Sequence, residues 1–488
     1  MNLTPSDVRA LRDSIAAIPG DVSNDAVGAY KAKVDDIFAP ATHAAALHPA
    51  NPIVVGSRGA GKSFWSGVLG QVSTRSAAAK AYPKLGLNNV DVVFGFTGVG
   101  GPEGVSAEAL SALVPTDASA SAASAFWWAT VLRSAVNRTG DSSQKLSQVL
   151  AVASNWEQRE ELLSQCESEL SKQGKTLLVV YDALDLVATD WPRRRMLTET
   201  LLEVVWAMRA YRSIKMKLFL RPDQIDDDAL RFVELPKLRT GAVRLSWSGP
   251  DLYGLLFARL VLAPDDDSRA AFRKVLRGHR IPDATRDEVL SRQWSLSHDA
   301  TEQARVMATF AGPFMASGTY GYKKGKTYDW PVTHIADAFD EVTPRSFLGL
   351  MVAASKHANT PEDRVIAPEG IRHGLRAASR TRVDQLHQEF PWIKGVLAPL
   401  AGLLLPAEDK EVYRTWRQAK TIPALKGDAA KYGYLLPFAN GDKATEGDLF
   451  EALRKIGVMF QRRDDRIDMP DLFRVAAKLL KKGGTAPR

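Results

Sequence analysis

The chain has 488 residues, 45% of them hydrophobic and 25% charged, with a formal net charge of +8. That length exceeds one compact core and predicts two to four domains, and the composition excludes a disordered or fibrous chain. No apolar run approaches the roughly 20 residues of a membrane span, and a single cysteine, Cys166, excludes a disulfide framework or cysteine-based metal site within one chain.

The N-terminus, Met1 to Asp7, lacks a basic stretch followed by an apolar one, so no secretory signal is expected and a cytoplasmic location follows as the default. Residues 1–50 read as a helical lead-in. Pro52-Ile53-Val54-Val55 is a short buried strand. Directly after it come Gly56, Ser57, Arg58, Gly59, Ala60, Gly61, Lys62 and Ser63, and then the apolar helix start Phe64-Trp65. This is G-x-x-x-x-G-K-S between a strand and a helix, the context in which the motif means a phosphate-binding P-loop. Its glycines let backbone N–H groups converge on an anion, and the helix N-terminus adds its positive end. Lys62 is read as the β/γ-phosphate contact and Ser63 as an Mg²⁺ ligand.

Val90–Phe96 alternates as a strand, and the Gly-, Ser- and Ala-rich segment 97–123 reads as a loop with little core. Phe126–Leu132 opens an apolar helix, and 144–173 carries a helical period. Lys175–Asp182 is a continuous aliphatic run ending in acid, as expected of a central parallel strand. Asp182 at its tip is positioned to hold Mg²⁺ as a Walker B carboxylate, or to cap a helix. The next position, where many P-loop ATPases carry a water-polarising glutamate, is Ala183. Asp185 is the next acid, either taking that role or serving as a first-turn acid.

A helix is expected over about 192–212. It opens on Arg193-Arg194-Arg195, read as a finger toward a neighbouring subunit or as a solvated or acid-binding face. Met216–Asp223 is a further strand, with Arg221 at its tip as a candidate γ-phosphate sensor, and Val243–Trp247 a short last one. Strands alternating with helices predict a mainly parallel α/β sheet. From Pro250 to about 405 the pattern is helical. Thr343-Pro344-Arg345 opens a helix with Arg345 in its first turn, either reaching the γ-phosphate from a lid or serving as a surface arginine at the helix start. The tryptophans at 127, 128, 206, 247 and 392 read as core. No histidine spacing suggests zinc, and no G-x-S-x-G is present.

Most of the net positive charge, +6 of +8, lies in Arg454–Arg488. Glu446–Leu453 reads as a helix, Val458–Met469 as a hairpin with an Asp-rich turn, and Pro470–Val475 as a last helix start. A helix followed by a basic hairpin is a winged-helix pattern, suited to DNA backbone or to another protein. The expected boundaries are 1–248 for the P-loop core, 249–405 for a helical lid with connecting helices, and 406–488 for the winged-helix-like domain.

The order of P-loop, Asp182-Ala183-Leu184-Asp185, Leu218-Phe219-Leu220-Arg221, Leu245-Ser246-Trp247, Val342-Thr343-Pro344-Arg345 and the C-terminal Arg466–Arg474 resembles bacterial P-loop ATPases of the AAA+/STAND/KAP-like group. Arg364–Ile371 adds to the resemblance. It implies an ATPase core using ATP and Mg²⁺, a helical lid and a winged helix. The implied role is an ATP-hydrolysing switch or remodelling protein, in a setting that includes anti-phage and other conflict systems. Its implied partners are a second copy of the chain or an effector encoded nearby, with nucleic acid reached through the basic C-terminal domain and no membrane. The alternative is a non-hydrolysing ATP-dependent scaffold or DNA-binding regulator that recruits a separate effector.

Overall fold

The computed structural model describes residues 3–19, 31–99, 104–140, 143–188, 191–226, 230–438, 443–482 and 484–486. It divides into two units. One is Ser23–Ser246, and the other joins Met1–Val22 to Trp247–Arg488.

The first unit is built on five parallel strands: β1 Ile53–Val55, β2 Val90–Phe96, β3 Thr176–Tyr181, β4 Ile214–Leu220 and β5 Val243–Arg244. Their order is β2-β3-β4-β1-β5. The aliphatic run of β3 is buried along nearly its whole length because strands flank it and helices cover the sheet. Trp127, in the helix Ala120–Thr139, is fully buried against Phe96 and Tyr181 edge-on. Its indole N–H donates to the Leu197 carbonyl at 3.0 Å. Burying an aromatic ring of this size contributes about 3 kcal/mol. This is an α/β P-loop NTPase fold accompanied by helical regions.

Three sequence expectations change here. Segment 97–123 contains a helix, Ala107–Leu113, capped by Ser106, whose hydroxyl accepts the Ala109 N–H. Val105, Leu110 and Val114 enter the core, so a few apolar residues among small ones suffice to anchor it; residues 100–103 lie outside the described ones. The helical period over 144–173 is two helices, Leu146–Ser154 and Trp156–Lys172. The break falls at Asn155, whose side chain caps the second by accepting from the Glu157 and Gln158 N–H groups. Of the five tryptophans read as core, Trp127 and Trp392 are buried, whereas Trp128, Trp206 and Trp247 are half-exposed, the first two beneath the guanidinium groups of Arg159 and Arg209.

Lys217 sits in the middle of β4 and is fully buried, with no carboxylate paired to it among the described residues. Its ammonium donates to the carbonyls of Ala46, His48 and Asn51 at 2.8, 3.0 and 2.7 Å. The three bonds strap the lead-in of β1 to the sheet. Burial pushes the Lys217 ammonium down to about 7.

In the second unit the helix Pro5–Ala16 packs against the helices Asp266–His279 and Pro344–Ser355. Pro344–Ser355 packs along Pro368–Glu389 with backbones in close approach. A Cβ on Gly370 would lie 2.8 Å from the Ala354 carbonyl, and one on Gly374 would overlap the Leu350 carbonyl. Glycine four residues apart on one face is what permits this approach.

Toward the C-terminus, β6 Leu404–Leu405 pairs in parallel with β9 Leu480–Lys481, and β7 Phe460–Gln461 pairs antiparallel with β8 Ile467–Asp468. The hairpin follows the helix Glu446–Lys455, and a bridge between Ala407 and Ile467 ties it to the residues after β6. The last helix is one turn, Asp471–Arg474. Arg474, counted with the basic tail in sequence, is fully buried and bonded to Asp471 and to the Leu479 and Thr485 carbonyls. Among the described residues no helix is long and apolar enough to cross a membrane.

Candidate functional site

β1 ends at Val55 and the chain turns at Gly56, whose N–H donates to the Leu220 carbonyl at 3.0 Å. Gly59 and Gly61 have φ of 86° and 105°, a left-handed conformation that a side chain disfavours. Gly61 then caps the helix Lys62–Gly70. Lys62 folds over the loop, donating to the Gly56 and Ser57 carbonyls at 2.7 and 3.1 Å. The helix is anchored from beneath by Trp65, whose N–H donates to His43 Nδ1 at 3.0 Å, while His43 Nε2 faces the Ser246 carbonyl at 3.0 Å. An Nδ1 that accepts leaves Nε2 as the donor, so His43 links the P-loop helix to the end of the β5 segment as a neutral ring.

β4 lies between β1 and β3, pairing Ile53 with Leu218 and Leu218 with Tyr181. That register carries three strand ends to one edge: Gly56 after β1, Asp182 after β3 and Arg221 after β4. Asp182 is 2% exposed. Its carboxylate takes hydrogen bonds from the Ser63 hydroxyl and the Ala183 N–H, and it feels the Lys62 charge. Burial nevertheless pushes its pKa above the usual carboxylate range, with Asp185 adding to the rise. Asp182 Oδ2 is buried without a hydrogen-bond partner. A carboxylate oxygen left unpaired beside a serine hydroxyl, at a phosphate-binding loop, is a donor set that fits a hard divalent cation. Ser63 and Asp182 are the residues that would hold Mg²⁺, which when bound supplies charge neutralisation for phosphate oxygens.

Ala183 adopts φ 54° and ψ 36°, a left-handed conformation uncommon for alanine. It turns the chain into the short helix Leu184–Leu186, which presents Asp185 toward Arg221. The Arg221 guanidinium meets both oxygens of Asp223 at 3.1 and 3.0 Å and stands 3.8 Å from Asp185. The arginine is thus held beside the Asp182 edge, with Asp185 partly exposed in front of it. Asp223 was not singled out in sequence; the Arg-Pro-Asp spacing was its signal, because a proline at N1 turns the acid back over the arginine.

Two of the three arginines resolve differently from either sequence reading. Arg193 is buried and donates to the Val114 and Pro115 carbonyls at 2.5 and 2.6 Å, tying its helix to the segment after Ala107–Leu113. Arg194 donates to the Ala188 carbonyl and, at 3.5 Å, to that of Asp185, wrapping the loop after β3. Asp190, read as part of that helix start, lies outside the described residues. Arg345 belongs to the second unit, in the first turn of Pro344–Ser355, a helix capped by Thr343.

No family model and no curated protein matches the chain. Among solved structures it is similar to a Walker-type ATPase of Pyrococcus abyssi, with a TM-score of 0.36 and 11% identity over 91% of this chain and 96% of that one. It is also similar to the Aeropyrum pernix ORC1 protein, solved in complex with DNA, with a TM-score of 0.34 and 16% identity over 96% and 94%. The third is Cdc6p of Pyrobaculum aerophilum, with a TM-score of 0.27 and 11% identity over 86% and 83%.

Proposed function

We propose that the protein binds ATP with Mg²⁺ and hydrolyses it, acting as a nucleotide-driven switch or remodelling ATPase. The observation that carries this reading is the unpaired, buried Asp182 Oδ2 beside Ser63 and Lys62 at the end of a P-loop. Lys62 leaves the Gly56 and Ser57 carbonyls to reach the phosphates. Ser63 and Asp182 hold the metal, Arg221 is the sensor of the leaving phosphate, and Asp185 orients the attacking water. Steady-state phosphate release from the wild type, Lys62→Ala and Asp182→Ala tests it. Wild-type release no faster than that of the two variants would sink hydrolysis.

A second reading, an ATP-dependent scaffold that does not turn over, is favoured by one observation. The position that commonly carries the catalytic glutamate is Ala183, and Asp185 is drawn toward Arg221. ATP retained intact on the protein after hours, with wild-type affinity, would support this reading over the first. The conflict-system setting and an oligomeric or effector partner rest on the family resemblance. Neighbouring genes and light scattering with and without ATP test them. A wing-borne DNA contact has less support, since Arg462 is paired with Asp464 and Asp468, and Arg466 with Asp464.

A further inference from the structure

The second unit holds a cavity of about 940 Å³, far from neutral in its lining: Lys323, Lys324, Lys326, Arg372 and Arg376 face it with one carboxylate, Asp329. None of these residues belongs to the P-loop site, which lies in the other unit. The three lysines sit on the segment Tyr320-Gly321-Tyr322-Lys323-Lys324-Gly325-Lys326, which alternates aromatic, basic and glycine residues. All three lysines are exposed.

The loop is built rather than loose. Phe314 and Lys326 form an antiparallel bridge at its base, and the Met315 N–H donates to the Gly325 carbonyl at 2.9 Å. Gly325 turns the chain with a φ of 91°. From the helix Pro368–Glu389, Arg372 donates to the Met315 carbonyl at 2.7 Å, and Arg372 and Arg376 share the single carboxylate of Glu369 at 3.2 and 3.4 Å. Two arginines on one acid leave the wall positive.

Two rings stand out on the same loop. Tyr322, which lines the cavity, is 57% exposed, and Tyr320, two residues before it, is 68% exposed with the Lys323 ammonium over one face of its ring at 4.7 Å. Trp330, deeper in the cavity, is already covered by His334, stacked at 4.0 Å. Exposed aromatic faces beside closely spaced cations are the chemistry of strands whose bases are unstacked: the cations follow the phosphates and the rings receive the bases. A duplex offers the phosphates but keeps its bases stacked inside, so it has no use for the tyrosines. We propose that this cavity and the Tyr320–Lys326 loop beside it bind single-stranded nucleic acid, with the three lysines and the two arginines on the backbone, Tyr322 under one base and the open face of Tyr320 under the next.

Fluorescence anisotropy with a labelled mixed-sequence DNA strand of about 20 nucleotides, and with the same strand annealed to its complement, tests this. The strand is expected to bind more tightly than the duplex. Lys323→Glu/Lys324→Glu/Lys326→Glu should weaken strand binding at least tenfold and lower the slope of log K against log salt by about 2, since each single-strand phosphate contact contributes about 0.7. Tyr320→Ala/Tyr322→Ala should weaken the strand about fivefold or more and leave the duplex unchanged, with Tyr→Phe at both positions restoring strand binding. Lys62→Ala should not affect it, which separates this site from the fate of the ATP reading. Circular-dichroism melts matching wild type keep a loss of binding from being a loss of fold. The proposal is overturned if the lysine variant binds the strand as wild type does. It is also overturned if only Arg462→Glu/Arg463→Glu/Arg466→Glu abolishes binding. Equal binding of strand, duplex and inorganic polyphosphate, with the tyrosine variants inert, would mark a plain anion surface and refute it as well.

Discussion

Replacing Asp182 by Asn should make the ligand-free protein more stable, the reverse of what most core substitutions do. The side chain is 2% exposed, Oδ2 has no partner, and burial holds its pKa above the ordinary value of 3.8. A raised carboxyl pKa means that the folded state keeps its proton to higher pH than the unfolded chain does. Stability from this group is therefore complete below pH 3.8 and is lost as pH rises through the folded pKa. Above that folded pKa the wild type carries a buried, under-bonded charge. Asn keeps the shape and an oxygen for Ser63 and Ala183, and exchanges that charge for a neutral amide, a gain of about 1–2 kcal/mol. For a unit of this size that is a rise in Tm of about 2–8 °C. Mg·ATP reverses the order. At a hundredfold excess over Kd the ligand adds about 2.7 kcal/mol to the wild type, and Asp182→Asn, lacking the metal carboxylate, gains much less. Differential scanning fluorimetry at several pH values, with ATP plus Mg²⁺ and ATP plus EDTA, reads all of this. The Tm gap without ligand should widen as pH rises from about 4. A ligand-free Asp182→Asn that melts below wild type, or one that shows the full Mg²⁺-dependent shift, refutes the reasoning.

Asp185→Asn should leave ATP affinity unchanged and slow phosphate release about 100-fold if its carboxylate orients water; unchanged release would make it only a partner of Arg221. Lys217→Met strands the carbonyls of Ala46, His48 and Asn51 and should cost about 2–3 kcal/mol. Because burial lowers Lys217 from 10.5 to about 7, the unfolded chain holds that proton longer, and the wild-type advantage over Lys217→Met should grow between pH 7 and 9.5. A gap that shrinks over that range contradicts the depressed value. Gly374→Ala drives a methyl into the Leu350 carbonyl and should destabilise by about 1–3 kcal/mol in denaturant melts, where a neutral result would mean the two helices part easily.

The sequence by itself determined the P-loop and the five strands, because both are local. A strand buried on two faces must be aliphatic throughout, as in Thr176–Tyr181, and a backbone that curls around an anion must place glycine at fixed offsets, as at 59 and 61. The hairpin after Gly457 was likewise legible from its turn residues. What needed tertiary structure was every statement about where charge goes. Ten basic-tail residues looked alike in the chain, yet Arg474 is buried under Asp471 while Arg462 and Arg466 are paired off against aspartates. Arg193 looked like a surface cation and is a buried tie to Val114 and Pro115. Lys217 sat in a strand with nothing nearby to mark its three carbonyl acceptors, which come from a segment some 170 positions earlier. The strand order decided the site: parallel pairing puts all the strand ends at one edge, and β4 paired with both β1 and β3 makes the ends that carry Lys62, Asp182 and Arg221 neighbours there. Hydrophobic period is written between neighbours along the chain, whereas the cost of a buried charge is settled by whichever distant carbonyl, hydroxyl or carboxylate the fold brings beside it.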